Sequence, residues 1–103
     1  MIKRALLTAV VLSCLTAPAF ADLQLAIKNG CTACHSVDNK IVGPAWKDVA
    51  NKNRNDKGAY ARLVAKVKAG GSGVWGPVAM PANSPRVSDA DIKSLVKWIL
   101  TLH

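Results

Sequence analysis

Five consecutive residues, Cys-Thr-Ala-Cys-His at positions 31–35, constrain this 103-residue chain more than any other stretch. Two cysteines three positions apart, with a histidine directly after the second, are compatible with three kinds of site. These are a redox-active dithiol, part of a zinc site, and a covalent attachment point for haem. Each site requires a different fold around the motif, so the rest of the sequence must decide among them.

Residues 1–21 have the three-part layout of a secretory signal peptide. A positively charged start is followed by an apolar run and by a small-x-small cleavage pattern that ends at Ala21. The apolar run is shorter than the ~20 residues that a membrane-spanning helix needs. We therefore expect export to the periplasm, cleavage after Ala21, a mature domain over residues 22–103 and no stable membrane insertion.

Cys14 offers an alternative, because the residues before it loosely resemble a lipoprotein signal, in which the cysteine becomes lipidated. The apolar run that precedes Cys14 is very short, and the cleavage site at Ala21 is better formed. A lipid-anchored form is therefore the less favoured interpretation.

Removal of 21 residues would leave a mature chain of 82 residues with a small inventory of metal-binding side chains. Cys31 and Cys34 would be its cysteines, Met80 its single methionine, and His35 and His103 its histidines. Exported domains of this size often need a disulfide, a metal or a cofactor for stability. A disulfide between cysteines this close would stabilise little, because it closes a very short loop. A large, covalently held apolar cofactor is favoured instead.

The pattern of apolar residues and caps predicts an all-α chain with about four helices and long loops. The first expected helix covers residues 23 to about 29 and has Asp22 as its cap, and a short second helix runs through Trp46, Val49 and Ala50. The third is capped by Asp56 and has Tyr60, Leu63, Val64 and Val67 on one face. The fourth has Ser88 as N-cap, Asp91 completing a capping box, a hydrophobic staple between Val87 and Ile92, and Trp98 at the margin of its apolar face. Residues 70–85 hold four of the seven glycines and three of the five prolines, and predict an irregular segment.

The helical class and the ligand inventory together favour haem attachment at Cys31 and Cys34. Structural zinc sites use four ligands, which here would require the terminal His103. A dithiol of the thioredoxin type follows a strand in an α/β fold, and no strand is predicted before the motif. Two thiols one helical turn apart can add across the two vinyl groups on one edge of a haem, with His35 beneath the porphyrin as an iron ligand.

The sixth iron ligand decides between a carrier and a catalyst. Met80 lies in a segment too apolar for a flexible linker and is the favoured ligand. His103, a lysine or an open position are the alternatives. A histidine–methionine iron is closed to substrates and has a raised reduction potential, which predicts a one-electron carrier and not an enzyme. An open iron would instead predict a gas sensor or a peroxidase-like enzyme.

Three stretches, GCTACHSVDNKIVGPAWKDVA, GGSGVWGPVAMPAN and VSDADIKSLVKWIL, carry a resemblance to a known family. In order and spacing they resemble the small bacterial class I cytochromes c of the c-551/c-552 type, over nearly all of residues 22–103. The resemblance implies helices wrapped around one covalent haem c with His35 and Met80 as axial ligands. It also implies three supporting roles: the carbonyl of Pro44 would bind the other ring nitrogen of His35, Trp75 and Lys66 would reach a haem propionate, and Asn83 would hydrogen-bond near the methionine sulfur.

The sequence departs from the family pattern at three places. Residues 83–87 are about two residues longer than the usual connection after the methionine, Trp46 replaces an expected tyrosine or aliphatic residue, and Ala26 lacks the aromatic ring of some relatives. These differences leave the haem ligands untouched and affect the expected helix contacts.

The formal net charge of +8 falls to +6 when Lys3 and Arg4 leave with the signal peptide. A basic exported chain without an aromatic–basic patch is not typical of nucleic-acid binding. Lysines near the haem edge would instead steer docking onto acidic redox proteins, namely respiratory electron donors and a terminal oxidase or nitrite reductase. The candidates are Lys28, Lys40, Lys47 and Lys68. We expect a monomer, with permanent binding in a larger reductase as the alternative.

Overall fold

The computed structural model describes residues 5, 8–10 and 18–103. Most of the expected signal peptide, including Cys14, lies outside the described residues. Cleavage after Ala21 and lipidation at Cys14 therefore stay predictions. In the described part of the chain, no helix combines the length and the apolar character needed to cross a bilayer.

The described chain is mostly helical, as the sequence predicts, and it also contains a small antiparallel sheet. The elements in chain order are α1 (Pro18–Lys28), a 3-10 turn (Cys31–Ala33), α2 (Trp46–Lys52), α3 (Ala59–Ala69), β1 (Gly71–Gly73), β2 (Gly76–Met80) and α4 (Asp89–Ile99). Strands β1 and β2 pair antiparallel, with Gly71 opposite Met80 and Gly73 opposite Gly76.

The expectation of irregular structure over residues 70–85 is wrong for the hairpin. Strands β1 and β2 occupy much of that segment, although glycines and Pro77 interrupt any alternating pattern. Positive φ angles of 108° at Gly73 and 111° at Gly76 turn the chain between the strands. A short edge strand tolerates proline because one side of its backbone has no ladder partner.

Two helix starts differ from the sequence-based expectation. In the uncleaved chain helix α1 begins at Pro18, so Asp22 lies inside the helix and does not cap it; cleavage after Ala21 would make Asp22 the first residue of this helix. Proline is favoured at the first helical position, and no helix-breaking residue follows before Lys28. The N-cap of α3 is Gly58, and Asp56 supports this start from outside because its carboxylate accepts a hydrogen bond from the Gly58 N–H at 2.9 Å.

Helix α4 has the predicted N-terminus and packs against the three other helices. The Ser88 hydroxyl accepts a hydrogen bond from the Asp91 N–H at 3.2 Å, which confirms the cap. The core forms two clusters, one of Ala26, Trp46, Leu95 and Trp98 and the other of Val64, Val87, Ile92 and Val96. Helix α4 contributes to both clusters and therefore joins α1 and α2 to α3.

Two aromatic side chains lie where the sequence analysis did not expect them. Trp98 is buried in the first cluster and makes an edge-to-face contact with Trp46, with 5.4 Å between the ring centroids. Tyr60 was expected on the packed face of α3 but is exposed. The bulky Trp46 thus occupies interior space beside α1, where Ala26 is small and fully buried.

Candidate functional site

A cavity of about 670 Å³ lies between the motif at residues 31–35, helices α2 and α3, and the hairpin. Its lining brings together most of the residues that the sequence analysis singled out, although they are up to 46 positions apart. These residues are Cys34, His35, Pro44, Lys66, Trp75 and Met80. A cavity of this size is within the range of small-molecule and cofactor sites.

The motif turns tightly at the edge of the cavity. Gly30, with a φ angle of 76°, precedes the 3-10 turn at Cys31–Ala33 as its N-cap. The His35 N–H donates a hydrogen bond to the Cys31 carbonyl at 3.0 Å. Neither cysteine forms a disulfide. Cys31 packs against the core cluster around Trp46, while Cys34 lines the cavity. Burial raises the pKa of the Cys31 thiol, and the nearby Arg86 guanidinium partly offsets this rise.

The imidazole of His35 is held in one orientation by its surroundings. Its Nδ1 atom lies 2.8 Å from the Pro44 carbonyl oxygen, and its ring stacks on Trp46 with 5.5 Å between centroids. A carbonyl oxygen can only accept a hydrogen bond, so Nδ1 carries the proton. The Nε2 lone pair is then available to a metal ion, which is the usual arrangement of a ligating histidine.

Met80 ends strand β2 and lines the same cavity as His35. The pairing of Met80 with Gly71 places it beside the C-terminal end of α3. Gly70 makes this close approach possible: its φ angle is 72°, and an added methyl group would overlap the Met80 carbonyl oxygen. The cavity thus has a histidine nitrogen and a thioether sulfur in its walls, a pair of ligands that suits haem iron.

The walls of the cavity expose more apolar surface than so small a protein would leave in water. Ile41 and Val42 are each 52% exposed, Val74 is 62% exposed and Val78 is 63% exposed, and all four line the cavity. Contiguous exposed apolar side chains indicate a ligand or an interaction surface. A large flat apolar group that filled the cavity would cover them, so the residues present fit a haem.

Several basic side chains line the cavity. Lys52, Arg62 and Lys66 all line it, and the Lys52 Nζ atom lies 5.3 Å from the ring centroid of Trp75. The Arg62 guanidinium also donates to Asp56 at 2.9 Å. Together with the Gly58 N–H, which has the larger effect, Arg62 holds the pKa of the Asp56 carboxyl below its usual value. The basic side chains of the lining can therefore accept carboxylates such as haem propionates.

Asn83 lies outside the cavity lining. Its backbone N–H and its Nδ2 atom both donate to the Val67 carbonyl, at 3.1 and 3.2 Å, and Nδ2 also donates to the Pro81 carbonyl at 3.3 Å. Asn83 therefore anchors the chain after Met80 to the end of α3. Its expected hydrogen bond near the methionine sulfur stays a prediction.

Two observations in the described part of the chain concern the zinc alternative and the rival ligand His103. Among those residues no three His, Cys, Asp or Glu side chains cluster closely enough to hold a metal ion. His103 is the exposed last residue and is absent from the cavity lining.

Gly43, Lys52 and Arg62 also line the cavity and were not predicted from the sequence. The GP dipeptide at Gly43 indicated only a turn, and a lone basic residue on a helix carries no signal of what it faces.

The sequence model of the cytochrome c family matches residues 23–103. The chain belongs to the cytochrome c family. It is 64% identical over 84 residues to cytochrome c-551 of Allochromatium vinosum, covering 82% of this chain and 88% of that protein. It is 55% identical over 82 residues to cytochrome c-552 of Nitrosomonas europaea, covering 80% of this chain and 79% of that protein. The crystal structure of wild-type Nitrosomonas europaea cytochrome c552 superimposes with a TM-score of 0.75 at 53% identity, covering 79% of this chain and 99% of that one.

Membership of the cytochrome c family confirms the resemblance seen in the sequence and accounts for the cavity. Cytochromes c carry one covalently bound haem c, and the C-x-x-C-H motif of the family coincides here with Cys31 and Cys34. The protein is a small haem c electron carrier. Because the half-exposed valines and isoleucine line the cavity, the haem also completes the apolar interior of this small cytochrome c.

Proposed function

We propose that this cytochrome c is a periplasmic one-electron carrier whose haem is attached through Cys31 and Cys34 and ligated by His35 and Met80. One observation supports the proposal above the others: His35 and Met80 line the same cavity, with the Nδ1 atom of His35 already engaged by Pro44. Only Nε2 of the ring is then free for iron. The carrier would take electrons from a respiratory donor and pass them to a terminal oxidase or nitrite reductase.

The protein's own residues would perform four tasks in this function. Cys31 and Cys34 would hold the cofactor permanently, and Pro44 would fix the tautomer of His35. Met80 would close the last coordination position, so that no small molecule reaches the iron. When bound, the haem supplies an iron that gains or loses one electron without making or breaking bonds. Lys66 and Trp75 would hold the propionates and keep the cofactor in one orientation.

The ligand assignment is tested by replacing Met80. Met80→Ala should abolish the thioether–iron charge-transfer band of the ferric protein, lower the reduction potential and open the ferrous iron to carbon monoxide, because methionine ligation raises the potential and blocks the site. The matched control is His103→Ala, which removes the rival ligand and should change none of these properties. An unchanged spectrum and potential in Met80→Ala would exclude Met80. Carbon monoxide binding by the unmutated ferrous protein would favour the open-site alternative.

Export is tested separately on protein from the native host. We expect the periplasmic fraction to contain a chain whose N-terminus is Asp22 and whose mass includes one haem. Recovery in the membrane fraction, with a mass that includes a lipid on Cys14, would contradict this. Gel filtration of the same extract distinguishes a free monomer from a subunit held in a larger reductase.

A further inference from the structure

Arg86 joins the segment that carries Cys31 and His35 to the segment that carries Met80. Its NH1 group donates to the Asn29 carbonyl at 2.9 Å, and its NH2 group donates to the Asn83 Oδ1 atom at 2.7 Å. Asn29 lies two residues before Cys31, and Asn83 lies three residues after Met80. One guanidinium therefore links two chain segments that are far apart in sequence and that carry the proposed haem ligands.

Both acceptors of Arg86 are themselves anchored. The Asn29 N–H and its side-chain Nδ2 atom donate to the Leu25 carbonyl of α1, at 3.1 and 3.0 Å. Asn83 is tied to the Val67 carbonyl of α3 through its backbone and its side chain. The Arg86 backbone is fixed by the next residue, Val87, which is buried and whose N–H donates to the Asn83 carbonyl at 2.8 Å. The bridge thus connects the ends of two helices and not two loose loops.

We propose that Arg86 is a positioning residue that holds the Met80 segment against the attachment segment and thereby strengthens the bond between Met80 and iron. The proposal rests on Met80 being the sixth ligand. A thioether is a neutral ligand, and its displacement from iron requires the end of strand β2 and the residues after it to open locally. Local opening is easier where fewer contacts hold a segment. Each hydrogen bond from Arg86 therefore adds to the free energy that a competing ligand must overcome.

The geometry of the guanidinium separates this role from a simple effect of charge. Two N–H groups in one plane reach two acceptors at once, whereas a lysine ammonium is a point charge on a flexible stem. Arg86→Lys keeps the positive charge but loses the planar pair of N–H donors, and Arg86→Ala loses both. Arg54→Ala is the matched control, because Arg54 also makes two hydrogen bonds, to Asn51 and to the Leu102 carbonyl, but contacts neither haem-ligand segment.

The test titrates imidazole into the ferric holoprotein and follows loss of the thioether–iron charge-transfer band. We expect imidazole to bind Arg86→Ala about tenfold more tightly than the unmutated protein, a change equivalent to about 1.4 kcal/mol. Arg86→Lys should bind it at least threefold more tightly, and Arg54→Ala should stay within twofold. A merely structural contribution would lower the unfolding midpoint of the Arg86 and Arg54 variants alike without separating their imidazole affinities.

Two results would overturn the proposal. One is an imidazole affinity of Arg86→Ala within twofold of that of Arg54→Ala. The other is an Arg86→Lys variant that matches the unmutated protein while Arg86→Ala does not, which would assign the effect to charge alone. If Arg86→Ala does not fold, Arg86→Lys decides alone: imidazole binding at least threefold tighter than in the unmutated protein supports the proposal, and a smaller change overturns it. Failure of the proposed ligation is distinguishable, because the band would then be missing from the unmutated protein.

Discussion

Gly43 lies so close to the imidazole of His35 that no side chain fits between them. A methyl group on Gly43 would be 2.5 Å from the ring Cε1 atom and 2.9 Å from Nδ1. The Gly43 N–H also donates a hydrogen bond to the Cys34 carbonyl at 2.8 Å, which keeps the backbone at Gly43 from moving away from the ring. The requirement for glycine at this position is therefore one of space beside the ring.

Gly43→Ala should displace the imidazole and weaken its hydrogen bond to Pro44. Overpacking at a constrained position typically destabilises a protein by about 1–3 kcal/mol. We expect a loss of this size in the free energy of unfolding of the ferric protein, measured in guanidinium, together with a lower yield of haem-loaded protein. Gly58→Ala is the control, because the added methyl group makes only ordinary contacts there, at 3.4 Å from Asp56. Equal stability of the two variants would contradict the role of Gly43.

Sequence alone singles out the proposed haem ligands but not most of the residues that would support them. Cys31, Cys34 and His35 form a contiguous motif, and Met80 is the one methionine beyond the expected leader. Arg86 and Arg62 carry no comparable signal, because their acceptors lie in other elements and only the folded chain brings them together. Pro44 was expected near His35 through the family resemblance, and the structure places its carbonyl at 2.8 Å from Nδ1.

At the scale of elements, helix α4 was predictable because residues close together in the sequence determine both its start and its packed face. Ser88, Asp91, Val87 and Ile92 lie within six residues and make the cap and the apolar contact. The hairpin was not predictable, because its strands are three and five residues long and most of their side chains are exposed. Backbone pairing and the haem cavity define the hairpin, and neither leaves an alternating apolar pattern in the sequence.

The cap of α4 offers a test at this scale. Ser88→Ala removes the acceptor of the Asp91 N–H and should lower the free energy of unfolding by about 1 kcal/mol. The effect should appear in the global transition, because α4 contributes to both core clusters. Ser94→Ala, at an exposed position inside the same helix, should be neutral or slightly stabilising, since alanine is the better helix former. Similar losses in both variants, measured by urea denaturation, would exclude a specific capping effect.

For the molecule as a whole, the structure distinguishes among the lysines that sequence proposed for docking. Lys47 pairs with Asp38 at 2.5 Å, and Lys68 pairs with Asp89 at 3.2 Å. Their charges are partly neutralised by these partners. Lys40 lines the cavity beside the exposed apolar side chains. Lys52, which the sequence did not indicate for docking, lies over Trp75 at the same cavity. These two lysines are the better placed to attract an acidic partner toward the haem.

Electron transfer to an acidic redox partner should slow as the salt concentration rises. Attraction between oppositely charged surfaces raises association rates by about 10- to 1,000-fold, and it is largely screened beyond about 10 Å at 0.1 M salt. Stopped-flow oxidation of the ferrous protein should therefore show at least a tenfold fall in the bimolecular rate constant between low and high salt. Lys40→Gln and Lys52→Gln should each reduce the low-salt rate and flatten this dependence.

Lys93→Gln is the matched control, because it removes one exposed charge from α4 at a position outside the cavity lining. Lys47→Gln should have an intermediate effect, since Asp38 already neutralises part of its charge. If all four variants slow the reaction equally, net charge governs association and the haem edge has no special part in it. A rate independent of salt in the unmutated protein would mean that the contact depends mainly on the apolar rim formed by Ile41, Val42, Val74 and Val78.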